Sequence, residues 1–282
     1  MAQSYHVFYL ICLGVFGLLF GSFGNVLIWR VPRGESIVSP PSHCPSCGHD
    51  VRWHDNVPML SWLVLRGRCR DCGEPISIRY LVVEATSGLL FVVAGWFWGF
   101  GPATPLAVAF LYLLLVLSVI DLDTRRLPTP LVYALALVAA VAAVAAQITG
   151  LPFGPLTQPT GSGWLSQPLV FATIGLAAGV GVSLAVAFVY RVARGRDGLG
   201  FGDVRLLGAM GLALGPFVLL AYGLANILGV LVAVPQTLLT RGKEGLAARS
   251  IPFGPFLAAG GVLTALWGPA IWTWYLRLLG VA

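Results

Sequence analysis

"PLAVAFLYLLLVLSVIDLDTRRLP", residues 105–128, decides the fold class. From 105 to 120 it carries no charged side chain; Asp121, Asp123, Arg125 and Arg126 then follow at once. An apolar run that ends this abruptly in charge reads as a membrane-spanning helix meeting water. The rest of the chain agrees. Of 282 residues, 57% are hydrophobic and only 10% charged, and the mean hydropathy is +0.86. Soluble domains carry roughly 25% charged residues. No soluble core could hide this much apolar surface.

Working outward, apolar runs fall at 7–29, 81–100, 103–120, 131–149, 168–190, 204–221, 223–240 and 252–276. A spanning helix needs roughly 20 residues. Gly215-Pro216, Gly223 and Pro235 interrupt 204–240, so its division is the least sharp. The expected fold is an all-α polytopic membrane protein of about eight transmembrane helices. The first run has no Lys or Arg before it, while Arg30 and Arg33 follow it. That order predicts a retained helix with its N-terminus outside rather than a cleaved signal.

Basic residues gather in alternate connections. Arg30, Arg33, Arg52, Arg66, Arg68, Arg70 and Arg79 lie in or beside 30–80, and Arg125 and Arg126 follow the third helix. Arg191, Arg194, Arg196 and Arg205 surround a Gly-rich turn, and Arg241, Lys243 and Arg249 precede the last helix. The connections 100–105 and 152–167 carry none. The positive-inside rule therefore puts every basic loop in the cytoplasm. The net charge of +6 is a topology signal and not a nucleic-acid-binding one. The expected organisation is a first helix (1–29), a cytoplasmic loop (30–80) and a membrane core (81–282).

The loop holds Cys44, Cys47, Cys69 and Cys72 as C-x2-C-x21-C-x2-C, with Gly48 and Gly73 after each pair. Two such knuckles suit tetrahedral zinc. Two disulfides are the alternative, disfavoured in a reducing cytoplasm. A closed four-thiolate site has no open coordination position, so the zinc should be structural. His43, His49 and His54 lie nearby as spare ligands, and Cys12 reads as a small buried hydrophobe. Gly14, Gly17, Gly21 and Gly24 share one face of the first helix, which favours close helix packing. Asn25 could hydrogen-bond across helices.

Asp121 and Asp123 end the third apolar run, and Asp203 begins the sixth within "GLGFGDVRLLG", 198–208. The charge map puts all three at one depth on one side. Acids in or near spanning segments are functional candidates. Two close carboxylates do not both ionise easily, so one can activate water while the other polarises a carbonyl. Structural readings stand beside this: Asp121 pairing with Arg125 at i,i+4, and Asp203 capping a helix. A proton-coupled transporter using the same acids is the alternative function. All four His residues lie at position 6 or between 43 and 54, so no Ser-His triad forms near the acids, and no H-E-x-x-H is present.

Five blocks in order, "GSFGNVLIWRVPRG" (21–34), "HCPSCG" (43–48), "DNVPMLSWLVLRGRCRDCGEPISIRYLVVE" (55–84), "IDLDTRRLP" (120–128) and "GFGDVRLLGAMG" (200–211), resemble the bacterial prepilin peptidases. These are the type IV leader peptidase and N-methyltransferase family. The resemblance implies an intramembrane aspartic protease of the bacterial inner membrane. It would cut type IV prepilins or pseudopilins after a Gly on the cytoplasmic side. It would then methylate the new N-terminal residue with S-adenosylmethionine. The family's catalytic pair falls on Asp121 and Asp203, supported by Gly200 and Gly202, with Asp123 as the competing neighbour of Asp121. Glu84 lies in a shared block and is a candidate methylation-site residue. Family members often carry Asn or Asp after the Pro of the first aspartate block, where this chain has Thr129. Members without the cysteine loop are thought not to methylate. This chain has that loop.

Overall fold

A computed structural model describes residues 2–150, 166–195, 200–239 and 252–280. Residues 152–165 of the uncharged connection, Arg196, Gly198, and the basic Arg241, Lys243 and Arg249 lie outside the described residues. Two compact units emerge, Met1–Thr104 and Pro105–Ala282. Among the described residues there are only helices, turns and isolated β-bridges.

In the first unit, α1 (Ala2–Arg30) and α3 (Ile78–Trp98) lie antiparallel, and a loop containing the short α2 (Leu60–Val64) joins them. Glycine lets the two backbones touch. A Cβ on Gly17 would fall 2.8 Å from Gly88 Cα, and one on Gly21 would fall 2.6 Å from Glu84 Cα. Without a hydrophobic drive between helices in lipid, such approach supplies the packing. Asn25 Nδ2 donates across the pair to Tyr80 O at 3.2 Å. Ser77 caps α3 by accepting from Arg79 N. The helix thus begins at Ile78, so Glu84 lies in its second turn rather than at its start.

The second unit holds α4 (Ala103–Thr124), α5 (Thr129–Thr149), α6 (Pro168–Arg194), α7 (Phe201–Leu214), α8 (Val218–Leu239) and α9 (Gly254–Leu278). Seven segments are long and apolar enough to cross a membrane, with Phe201–Gln236 taken as one. A 3₁₀ turn at Gly215–Phe217 breaks that segment. Gly215 there adopts φ 57°, a left-handed conformation that suits glycine. The chain reverses at this turn. Gly179 meets Leu207 and Gly175 meets Gly211 across α6 and α7, while Gly229 faces Phe256 and Gly260 faces Ala221 across α8 and α9. Among the described residues the two units thus hold eight helices of 14 residues or more. At 14 residues, α7 runs only about 21 Å, shorter than the ~30 Å hydrocarbon layer.

Candidate active site

Asp121 lies at the C-terminal end of α4 and is 6% exposed. That end carries the negative pole of the helix dipole and is a poor place for a carboxylate. The fold answers with a second helix. Gly254, the first residue of α9, donates its N–H to Asp121 Oδ2 at 2.9 Å. The N–H groups of a first helical turn have no partner within the helix and favour an anion. A side chain at 254 would not fit, since its Cβ would stand 2.6 Å from Asp121 Oδ2.

Asp203 occupies the first turn of α7 and is half-buried. The cap residue of α7 is Gly200 and not Asp203, which stands three residues on with the Gly200 N–H beside its carboxylate. Asp203 also lies within electrostatic reach of the Asp121 carboxylate.

The two aspartate blocks are fastened together. A Cβ on Gly202 would lie 3.2 Å from Leu127 Cβ, so glycine here lets α7 settle onto the 125–128 connection. Arg205 Nη1 donates to Thr129 Oγ1 at 2.9 Å. Thr129 thus takes part through its hydroxyl. Asp123 is exposed and is not the residue held at the α9 terminus. Sequence reasoning missed Gly254 and the Arg205–Thr129 bond. The only signal for Gly254 was a glycine between Pro252 and Pro255 at the head of an apolar run.

The cysteine loop forms a separate centre in the first unit. The ligand atoms of Cys44, Cys47, Cys69 and Cys72 all lie within 4.8 Å of one another. The thiols are free, not disulfides. Cys44 Sγ and Cys72 Sγ stand 3.8 Å apart, and Zn–S bonds of about 2.3 Å set sulfurs about 3.8 Å apart in a tetrahedron. Each knuckle is a tight turn: Gly48 N donates to Cys44 O and Gly73 N to Cys69 O, with both glycines at positive φ. Backbone N–H groups of Cys47 and Ser46 lower the Cys44 thiol to about 6, which favours the thiolate that a metal needs. The residues fit zinc. Arg70 grips Asp55 with bonds of 2.7 and 2.6 Å, bracing the second knuckle. The hydrogen bond from Arg70 holds the Asp55 carboxyl below its usual range.

Glu84 is 8% exposed. Its Oε2 accepts from Met59 N at 2.7 Å. The acid therefore ties the cysteine loop to α3.

Comparison with known proteins agrees with this division. Residues 15–98 match the family described as Bacterial Peptidase A24 N-terminal domain. Residues 108–234 match the Type IV leader peptidase family. A prepilin leader peptidase/N-methyltransferase of Aeromonas hydrophila is 35% identical, covering 93% of this chain and 92% of its own. One of Pseudomonas putida is 33% identical, with 94% and 93% covered. A type 4 prepilin-like proteins leader peptide-processing enzyme of Escherichia coli O78:H11 is 35% identical, with 88% and 90% covered. No solved structure matches the chain.

Proposed function

The chain belongs to the type IV leader peptidase family and is an enzyme; from that premise we propose that it removes the leader peptide of type IV prepilins or pseudopilins and N-methylates the new terminus. Cleavage falls after a Gly on the cytoplasmic face of the bacterial inner membrane. S-adenosylmethionine is the methyl donor. The N-terminus faces outward and the zinc loop lies in the cytoplasm.

The single observation that supports the peptidase reading is that the two aspartate blocks, on different helices, are held together by Gly202 against Leu127 and by the Arg205–Thr129 hydrogen bond, which brings Asp203 within electrostatic reach of Asp121. The ionised member takes a proton from water, and the protonated member polarises the scissile carbonyl. Collapse of the tetrahedral intermediate expels the amine, which takes up a proton. No side-chain nucleophile is needed. The α9 N-terminus keeps Asp121 at its post, and the Gly200 N–H orients Asp203. Zinc on Cys44, Cys47, Cys69 and Cys72 would staple a loop too small to build its own core.

The test is processing of a pilin-like precursor by wild type and by the Asp121→Asn and Asp203→Asn proteins. Cleavage lost in both variants, with membrane insertion intact, is the expected result. A proton-coupled transporter built on the same acids predicts the opposite: precursor processing survives in cells that lack the protein.

A further inference from the structure

The loop between α1 and α3 does not simply hang from the helix ends. At 21 residues, α3 is about 31 Å long and only just covers the ~30 Å hydrocarbon layer. Its ends therefore sit at the boundaries, and Glu84 lies about 9 Å along the axis from Ile78. The Met59 N–H reaches that carboxylate at 2.7 Å. The opposite wall agrees. Asn56 and Pro58 share a groove with Leu19, Ser22, Phe23 and Val26 of α1, and Ser22 lies about 12 Å along α1 from Arg30. The loop tip stands beside the spanning helices below their charged ends.

The tip has the chemistry of that depth. Residues 56–65, "NVPMLSWLVL", contain no charge, and Asp55 and Arg66 bracket them. Leu60, Leu63 and Val64 of α2 are 58%, 55% and 68% exposed. On α1, Leu19 and Phe23, which share the groove with Asn56 and Pro58, are 51% and 42% exposed as well. The backbone suits lipid as well, where polar groups must be paired internally. Leu60 N donates to Pro58 O, Ser61 N to Val57 O, Leu63 N to Met59 O and Leu65 N to Ser61 O. Trp62 Nε1 donates to Ile76 O.

We infer that the 56–65 tip is seated in the bilayer, with Leu60, Leu63 and Val64 of α2 against acyl chains. The cysteine knuckles then ride at the surface on a loop fixed at its middle as well as at its ends. The buried Glu84 secures the turn at Met59, whose φ of 59° and ψ of −48° are strained for a residue with a side chain. This placement is independent of the catalytic reading.

Nitroxide depth measurement on the full chain in lipid nanodiscs tests it. A ketone-bearing amino acid replaces Leu63 in one protein and Val64 in another, and a ketone-selective spin label leaves the cysteines untouched. Both positions are exposed, so the label displaces no packing. Phe16 on the exposed face of α1 and Glu74 in the loop serve as references. Positions 63 and 64 should match Phe16, with the ratio of oxygen to nickel-chelate access raised about tenfold over Glu74 because oxygen partitions into hydrocarbon. Nickel access equal to that at Glu74 would put the tip in water. Exclusion of both reagents would put protein over it. Either result overturns the inference.

Discussion

The amide of Gly254 donates to the carboxylate of Asp121 at 2.9 Å across 133 positions of chain, so the start of the last helix acts as the anion seat for the end of the fourth. A methyl group at 254 would push the carboxylate away, with a Cβ 2.6 Å from Oδ2 and 2.9 Å from Cγ. Gly254→Ala should therefore cut the turnover of leader cleavage by about 10²-fold, the cost of a small misplacement of a reacting group. KM should change little, because substrate binding does not use this contact. Steady-state kinetics on a purified precursor would show the split.

Asp121 and Asp123 sit two residues apart and differ in burial. Asp121 is 6% exposed and held by a helix terminus, while Asp123 is exposed. Removing a general acid or base costs about 10²–10⁴-fold. Asp121→Asn and Asp203→Asn should fall in that range or below detection, and Asp123→Asn should stay near wild type. A gel assay of mature and precursor pilin measures all three. A large loss at Asp123 alone would reverse the assignment.

Much of this was legible in the sequence because long apolar runs and paired cysteines are local signals. The other apolar runs became helices, but the pair 204–221 and 223–240 divides at Gly215–Phe217 and not at 222, because Gly215 and Pro216 end α7 at Leu214 and α8 starts at Val218. The spacing of Cys44, Cys47, Cys69 and Cys72 announced their cluster before any coordinate. Contacts between distant segments were not legible. Nothing near Gly254 says that its amide will meet an acid 133 positions earlier. At five residues, α2 is too short for helical periodicity to reveal. Ser77 before Ile78 is a readable cap, and it starts α3 three residues ahead of the apolar run at 81, which puts Glu84 inside the helix.

Thr129 and Arg205 tie the first aspartate block to the second by a 2.9 Å hydrogen bond. The pair is exposed, so its worth is modest. Thr129→Val should lower stability by about 1 kcal/mol, the usual size of such a bond. Thr129→Asn should restore it by supplying a new acceptor. Thermal unfolding in detergent reads the difference. Equal stability of the Val and Asn proteins would show that the hydroxyl, not the site, is dispensable.

Four thiolates close a zinc site completely, so the purified protein should carry about one zinc per chain. Cys44→Ser should lose it and open 43–77 to protease. Cleavage and methylation should then separate. The Asp121–Asp203 pair belongs to the other compact unit, so leader removal should persist while methylation of the mature N-terminus drops by about tenfold or more, in keeping with the weight metal-site support carries. Metal analysis and mass spectrometry of the mature N-terminal peptide supply the two readouts. Equal loss of both activities would tie the zinc loop to folding of the whole chain.

The depth of Asp203 depends on how α7 packs on α6, and that packing is glycine against glycine. A Cβ on Gly211 would strike the Gly175 backbone, reaching its carbonyl carbon at 2.5 Å and Leu176 N at 2.9 Å. Backbone cannot yield as a side-chain tip can. Gly211→Ala should therefore cost about 1–3 kcal/mol, the range for overpacking, and reduce cleavage by shifting α7. Gly181 is the matched control on α6, since nothing lies within 4 Å of its Cβ position. Gly181→Ala should be neutral or stabilise by about 0.5–1 kcal/mol, because alanine orders a helix more readily than glycine. Thermal unfolding of the two proteins side by side distinguishes steric contact from helix propensity: propensity alone would move both upward, and contact sends Gly211→Ala down.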